Sequence, residues 1–135
     1  MENIQIEPIG FVRSPLKSLE DCPLQGYEGK VSAIIEVASA YAKGLQGISV
    51  GSELILLTWL HAGNRSVLTC YPRNNISAPH VGVFSTRSPD RPNPVGLHPV
   101  TVTAIVEGGN LQVYPLEVLD GTPVIDIKPV INAGS

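Results

Sequence analysis

Charge is scarce in this chain: Asp, Glu, Lys and Arg together make up 16% of its 135 residues, where about 25% is usual. Cysteine is scarcer, with only Cys22 and Cys70. Two are too few for a cysteine-based zinc site, and no metal is expected. The N-terminus has no basic patch followed by an apolar run, so no export signal is read there. Both cysteines are then expected as free thiols, with Cys70 a small core residue. Long apolar runs are missing too. The longest nearly uncharged stretch, Leu54 to Gly63, is ten residues, about half a membrane span. These absences predict a cytoplasmic chain with no membrane segment.

What is present suits one folded unit. Hydrophobic residues reach 43%, enough for a single core in a domain of this size, and residues 1–135 are expected to form one domain. With 13 glycines and 12 prolines, the pair is enriched over its usual share of about 12%, which predicts many turns. Alternating or β-branched runs predict strands at Ile4–Val12, Val31–Val37, Glu53–Leu60, Val67–Cys70, Val81–Ser85, Val100–Val106, Leu111–Val118 and Val124–Ile127. Gly108-Gly109-Asn110 reads as a hairpin turn. One short helix is expected over Ala38–Leu45. The fold class is therefore mainly β, a small single-sheet, largely antiparallel β-barrel with one short helix. A parallel βαβ sheet would need crossover helices that are lacking, and no GxGxxG follows a strand.

Net charge is −3, so nothing global points to nucleic acid. The distribution is uneven. Between Leu54 and Val106 the only charged residues are Arg65, Arg73, Arg87, Arg91 and Asp90. This island is all arginine, the residue suited to planar anion contacts, although a solvated loop face has the same composition.

Two segments are unlike ordinary connections. In Gly82–Leu97, three prolines (Pro89, Pro92, Pro94) fall within six residues, which bars a helix or a central strand there. The residues before them are pushed to extended geometry. The stretch is predicted to be a stiff loop presenting Arg87, Arg91 and Asn93 with little entropy left to lose. In the second, Asp120-Gly121-Thr122-Pro123 reads as a tight turn in which glycine supplies a positive φ. Alternation in the strand that follows puts Val124, Asp126 and Lys128 on one face, opposite Ile125 and Ile127. Asp126 and Lys128 are then neighbours that can form a surface ion pair.

The segments GVFSTRSPDRPNPVGL and LDGTPVIDIKP, with Ile9–Pro15 and Trp59-Leu60-His61, resemble the TsaA-like family, also called YaeB or TrmO. The likeness runs from about Ile6 to Ile131. It implies a barrel that binds S-adenosylmethionine, works as a homodimer with the cofactor site near the subunit interface, and methylates N6 of threonylcarbamoyladenosine beside the anticodon of certain tRNAs. Carried over position by position, the cofactor residues are Ser14, Pro15, Leu16, His61, Ala62, Arg87, Leu97, Asp120, Gly121, Thr122 and Pro123. Arg91, Asn93 and Lys128 are candidates for contacts with substrate or the partner subunit.

The chemistry of these residues is compatible with that role. Arg87 can clamp the cofactor carboxylate or an acceptor phosphate. Asp120 can accept from an ammonium or ribose hydroxyls, and backbone groups near Gly121 and Leu97 can read adenine. Asp126 and His61 are the candidates for taking a proton from the acceptor nitrogen, and the residues alone do not choose between them. Three features depart from the family pattern. Ser52-Glu53 stands where members carry Ser-His, Lys128-Pro129-Val130 replaces Lys-Pro-Tyr, and the sequence stops at Ser135 where bacterial tRNA enzymes continue into a C-terminal domain. The acceptor stays open between a modified tRNA adenosine and a small molecule or other base. A non-catalytic barrel that binds the cofactor or nucleic acid is the third reading.

Overall fold

The computed structural model describes residues 3–18, 31–72 and 75–131. Cys22 and Arg73 lie outside them. Among the described residues, eight strands follow in chain order: β1 (Gly10–Arg13), β2 (Ala33–Val37), β3 (Glu53–Trp59), β4 (Thr69–Cys70), β5 (Val81–Gly82), β6 (Val95–Val106), β7 (Asn110–Tyr114) and β8 (Pro123–Pro129). Six of them close an antiparallel barrel in the order β1-β2-β7-β6-β3-β8, and Gly10 opposite Val124 completes the ring. Alternation sends Val12, Ala33, Ile35, Leu54, Leu56, Val100, Val102, Leu111, Val113 and Val124 inward, where they form the core with Leu116 and Val118.

Several boundaries differ from the sequence expectation. The first strand starts at Gly10 rather than Ile4, and Ile4 and Ile6 are exposed. The expected helix is a 3-10 segment, Ser39–Leu45, with no side-chain N-cap and no fully buried residue. Seven residues with no side-chain cap are too few to favour a regular α-helix. β4 and β5 stay out of the barrel and pair only with each other, and Cys70 is half-buried there rather than in the core. After Gly82 the chain turns into a 3-10 segment, Val83–Ser85. β7 ends at Tyr114, because Pro115 brings no N–H to continue the ladder.

β6 begins five residues earlier than expected, so Val95-Gly96-Leu97 joins the barrel wall although the three loop prolines stay outside it. Pro99 lies within this strand, opposite Ile55 of β3. It is tolerated because pairing with β7 starts only at Thr101, leaving Val95–Val100 partnered on one side. In β8 the expected two-face alternation fails. A bulge shifts the register, with Leu57 opposite Asp126 but Thr58 opposite Val124. Val124 is buried and Ile127 also packs on the core, so two residues rather than one lie between successive inward side chains.

Candidate functional site at one mouth of the barrel

β1 and β3 end, and β6 and β8 begin, at the same end of the barrel. Trp59 pairs with Val95, Thr58 with Val124 and Phe11 with Pro123. Ser14–Leu16, Leu60–Gly63, the 86–94 loop and Asp120–Thr122 therefore surround one mouth. These segments are distant in sequence, and the closure of the sheet gathers them.

The loops after β1 and before β8 are tied by hydrogen bonds. Asp120 Oδ1 accepts the Ser14 N–H at 2.9 Å, and its own N–H donates to the Leu16 carbonyl at 2.7 Å. Gly121, at φ 84°, donates to the Val12 carbonyl at 2.7 Å. The buried Ser14 hydroxyl accepts the Leu16 N–H at 3.1 Å, and Thr122 is buried with its hydroxyl donating to the Leu119 carbonyl at 2.6 Å. Lys17 Nζ lies 3.1 Å from the other Asp120 oxygen. The Ser14 N–H, followed by Lys17, holds the Asp120 carboxyl below its ordinary pKa. Asp120 thus joins two loops as a half-buried anion whose second oxygen faces Lys17.

A second clasp joins Leu60–Ser66 to the proline-rich loop. The Leu60 N–H donates to the Pro94 carbonyl at 2.7 Å, and the Asn64 N–H to Asp90 Oδ1 at 2.8 Å. Gly63 lies so close to the Pro89 carbonyl that a Cβ there would come within 2.3 Å of its oxygen. Arg65 stacks over Trp59 at 5.1 Å from the ring centre, donating to the Pro92 carbonyl at 2.7 Å and Asn93 Oδ1 at 3.0 Å. Arg91 donates to the carbonyls of Thr86 and Ser88, at 2.8 and 3.1 Å. Stiffness of this loop comes from these bonds as well as from proline. Arg91 and Asn93 both serve it, whereas Arg87, His61 and Ala62 are exposed.

Beneath the mouth, Thr58 Oγ1 and His98 Nε2 share a 2.8 Å hydrogen bond. Burial pushes the His98 pKa down to about 4, so the ring is neutral in ordinary buffers. Gly96 lies against both groups, and a Cβ there would fall 2.5 Å from each. Sequence reading missed this trio. Its signal was a histidine two positions beyond a motif glycine, hence on the same face of the strand.

Other predicted residues lie on the outer wall. Leu97 and Asp126 both pair with Leu57, from opposite sides. Asp126 and Lys128 do form an ion pair at 3.0 Å. Asp126 also borders a hollow of about 410 Å³ whose apolar wall includes Ile9, Val37, Leu45, Ile48 and Ile127. Of the two proton-acceptor candidates, Asp126 lies in β8 opposite Leu57, and His61 is exposed just after the end of β3. The two departures from the family pattern meet: the Val130 N–H donates to the Glu53 carbonyl at 3.0 Å, and both residues line a second hollow of about 270 Å³ with Pro99 and Pro115. Among the described residues no helix is long and apolar enough to cross a membrane.

Residues 11–134 match the family model for the tRNA-methyltransferase O N-terminal domain. A probable S-adenosyl-L-methionine-binding protein of Methanothermobacter thermautotrophicus is 43% identical over 127 residues, covering 93% of this chain and 89% of that protein. An S-adenosyl-L-methionine-binding protein of Archaeoglobus fulgidus is 42% identical over 123 residues, covering 91% and 86%. The crystal structure of TrmO from Pseudomonas aeruginosa superposes with a TM-score of 0.73 at 29% identity. That match covers 97% of this chain but 56% of the solved chain, so this chain spans little more than half of that protein.

Proposed function

Since this chain belongs to the tRNA-methyltransferase O N-terminal domain family, we propose that it is an S-adenosylmethionine-dependent methyltransferase acting on N6 of threonylcarbamoyladenosine beside the anticodon of tRNA. The observation that carries the reading is the mouth of the barrel, where Ser14–Leu16, His61-Ala62, Arg87 and Asp120–Pro123 come from four segments and their loops are clasped by hydrogen bonds. The donor set fits the cofactor's chemistry: the exposed Arg87 guanidinium for its carboxylate, the half-buried Asp120 carboxylate, which Lys17 also reaches, for its ammonium or ribose, and backbone groups for adenine.

Bound there, the cofactor supplies a methyl group already activated on a sulfonium. The chain's task is then alignment of donor and nucleophile, for which a rigid frame is the main requirement. Asp120 positions the Ser14–Leu16 loop through its Oδ1 and backbone N–H. Arg87 binds the carboxylate. His61, exposed at the mouth, is the favoured proton acceptor, because Asp126 is engaged by Lys128 on the wall. In the same reading the chain is a homodimer. Val95 and Leu97, exposed by 41% and 45% beside Trp59 and Leu57, form an apolar strip continuous with the mouth that a second subunit would cover.

Calorimetry with S-adenosylmethionine tests the cofactor: binding is expected, and no heat at millimolar cofactor sinks the enzyme reading. Mass spectrometry of tRNA nucleosides from a deletion strain tests the acceptor, with loss of methylated threonylcarbamoyladenosine expected. A second reading, methylation of a small molecule or another base, draws support from Glu53 and Val130 lining one hollow. Unchanged tRNA nucleosides together with cofactor binding would select it.

A further inference from the structure

Between β3 and β6 the chain leaves the barrel as an arm built on the β4–β5 pair. The arm presents apolar side chains outward on an ordered frame. Val83 is buried; its N–H donates to the Leu68 carbonyl at 2.9 Å, and its carbonyl accepts the Thr86 N–H at 3.0 Å and the Thr86 hydroxyl at 2.9 Å. This anchored turn lifts Phe84 to 78% exposure. Nearby in the same arm, Tyr71 is exposed and meets His80 edge-on, with ring centres 4.1 Å apart.

The charge around these rings is positive and poorly neutralised. Arg65 and Arg91 donate to carbonyl and amide oxygens rather than carboxylates, so both keep their full charge. Asp90 is the only acid between Leu54 and Val106. Arg87, three residues from Phe84, is exposed. Exposed rings among uncompensated guanidiniums match unpaired bases on a phosphate backbone, which stack on one and pair with the other.

We infer that the arm is a docking surface for single-stranded RNA, with Phe84 as a base-stacking platform and Arg91, held on the Thr86 carbonyl, as the positive charge beside it. The inference rests on the tRNA reading of the acceptor and names the surface that would hold the unpaired loop. Base–aromatic stacking predicts a loss of about 5- to 100-fold when the ring is removed.

The test is fluorescence anisotropy of the full chain with a labelled RNA stem-loop carrying seven unpaired bases, against a blunt RNA duplex of equal length. The stem-loop is expected to bind more tightly. Phe84→Leu, which keeps apolar bulk but loses the ring face, is expected to weaken stem-loop binding by about 5- to 100-fold, and Phe84→Trp to restore it. Calorimetry with S-adenosylmethionine is run on Phe84→Leu, whose cofactor affinity is expected to be unchanged. If wild type binds the stem-loop and Phe84→Leu binds it equally well, the platform is wrong while the tRNA reading survives. If wild type binds the cofactor but neither RNA, both fall. A shift of Phe84→Leu toward monomer in ultracentrifugation, with RNA affinity unchanged, would make the arm a subunit contact and overturn the inference.

Discussion

His98 is a base held inside the barrel wall, where its neutral ring bonds Thr58 and its charged form is disfavoured. Its folded pKa of about 4 lies below the ordinary histidine value, so between pH 6.5 and 4 the unfolded chain binds the proton and the folded chain does not. Stability from this group is full above pH 6.5 and falls as pH drops towards 4, by up to about 3 kcal/mol. Thermal denaturation at pH 7 and pH 4.5 checks it: wild type should lose several degrees more than His98→Gln, and equal losses would assign the acid sensitivity to other groups. Gly96→Ala puts a methyl where Thr58 Oγ1 and His98 Nε2 already lie. It is expected to cost about 3 kcal/mol, read as a lower denaturant midpoint. Asp120 acts in the same sense as His98, in a lower pH range. Its depressed pKa gives stability that is present above the ordinary carboxylate range and lost on acidification below it.

At the scale of elements, the 86–94 loop depends on the turn after β3. Arg65 holds it through two bonds from one guanidinium, to Pro92 and Asn93, while stacking on Trp59. Lysine keeps the charge but lacks the planar fork. Arg65→Lys is therefore expected to leave the core intact and loosen the loop. Amide exchange at 86–93 should accelerate at least fivefold while strand β7 stays protected, and unchanged exchange would show that Pro89, Pro92 and Pro94 suffice alone. Much of this loop was legible in the sequence, because proline and glycine impose geometry without help from distant residues. The tie to Arg65 was not legible, because its partners lie 27 and 28 residues away. Nor was the β8 bulge, which depends on the register of β3 beside it.

For the whole molecule, closure of six strands turns scattered segments into one mouth. Anything that binds the folded mouth and not the unfolded chain must raise stability. S-adenosylmethionine at 100 times its dissociation constant should add about 2.7 kcal/mol, or roughly 5–10 °C in Tm. Differential scanning fluorimetry reads this directly, and Arg87→Ala should show a much smaller rise. An undiminished rise in Arg87→Ala would place the cofactor away from that guanidinium.

The sequence by itself determined the class of fold, the proline-stiffened loop, the Asp120–Pro123 turn and the arginine-only charge of the middle segment. All of these follow from local backbone chemistry and composition, which need no distant partner. Only the tertiary structure decided which residues share a place. It brought Asp120 against Ser14 across 106 residues, set His98 against Thr58 and made Glu53 and Val130 neighbours. It also placed Asp126 on the wall, opposite Leu57 and paired with Lys128. These are consequences of strand register, and register is set when the whole sheet closes around its core, since a slip of one residue would turn every side chain to the other face.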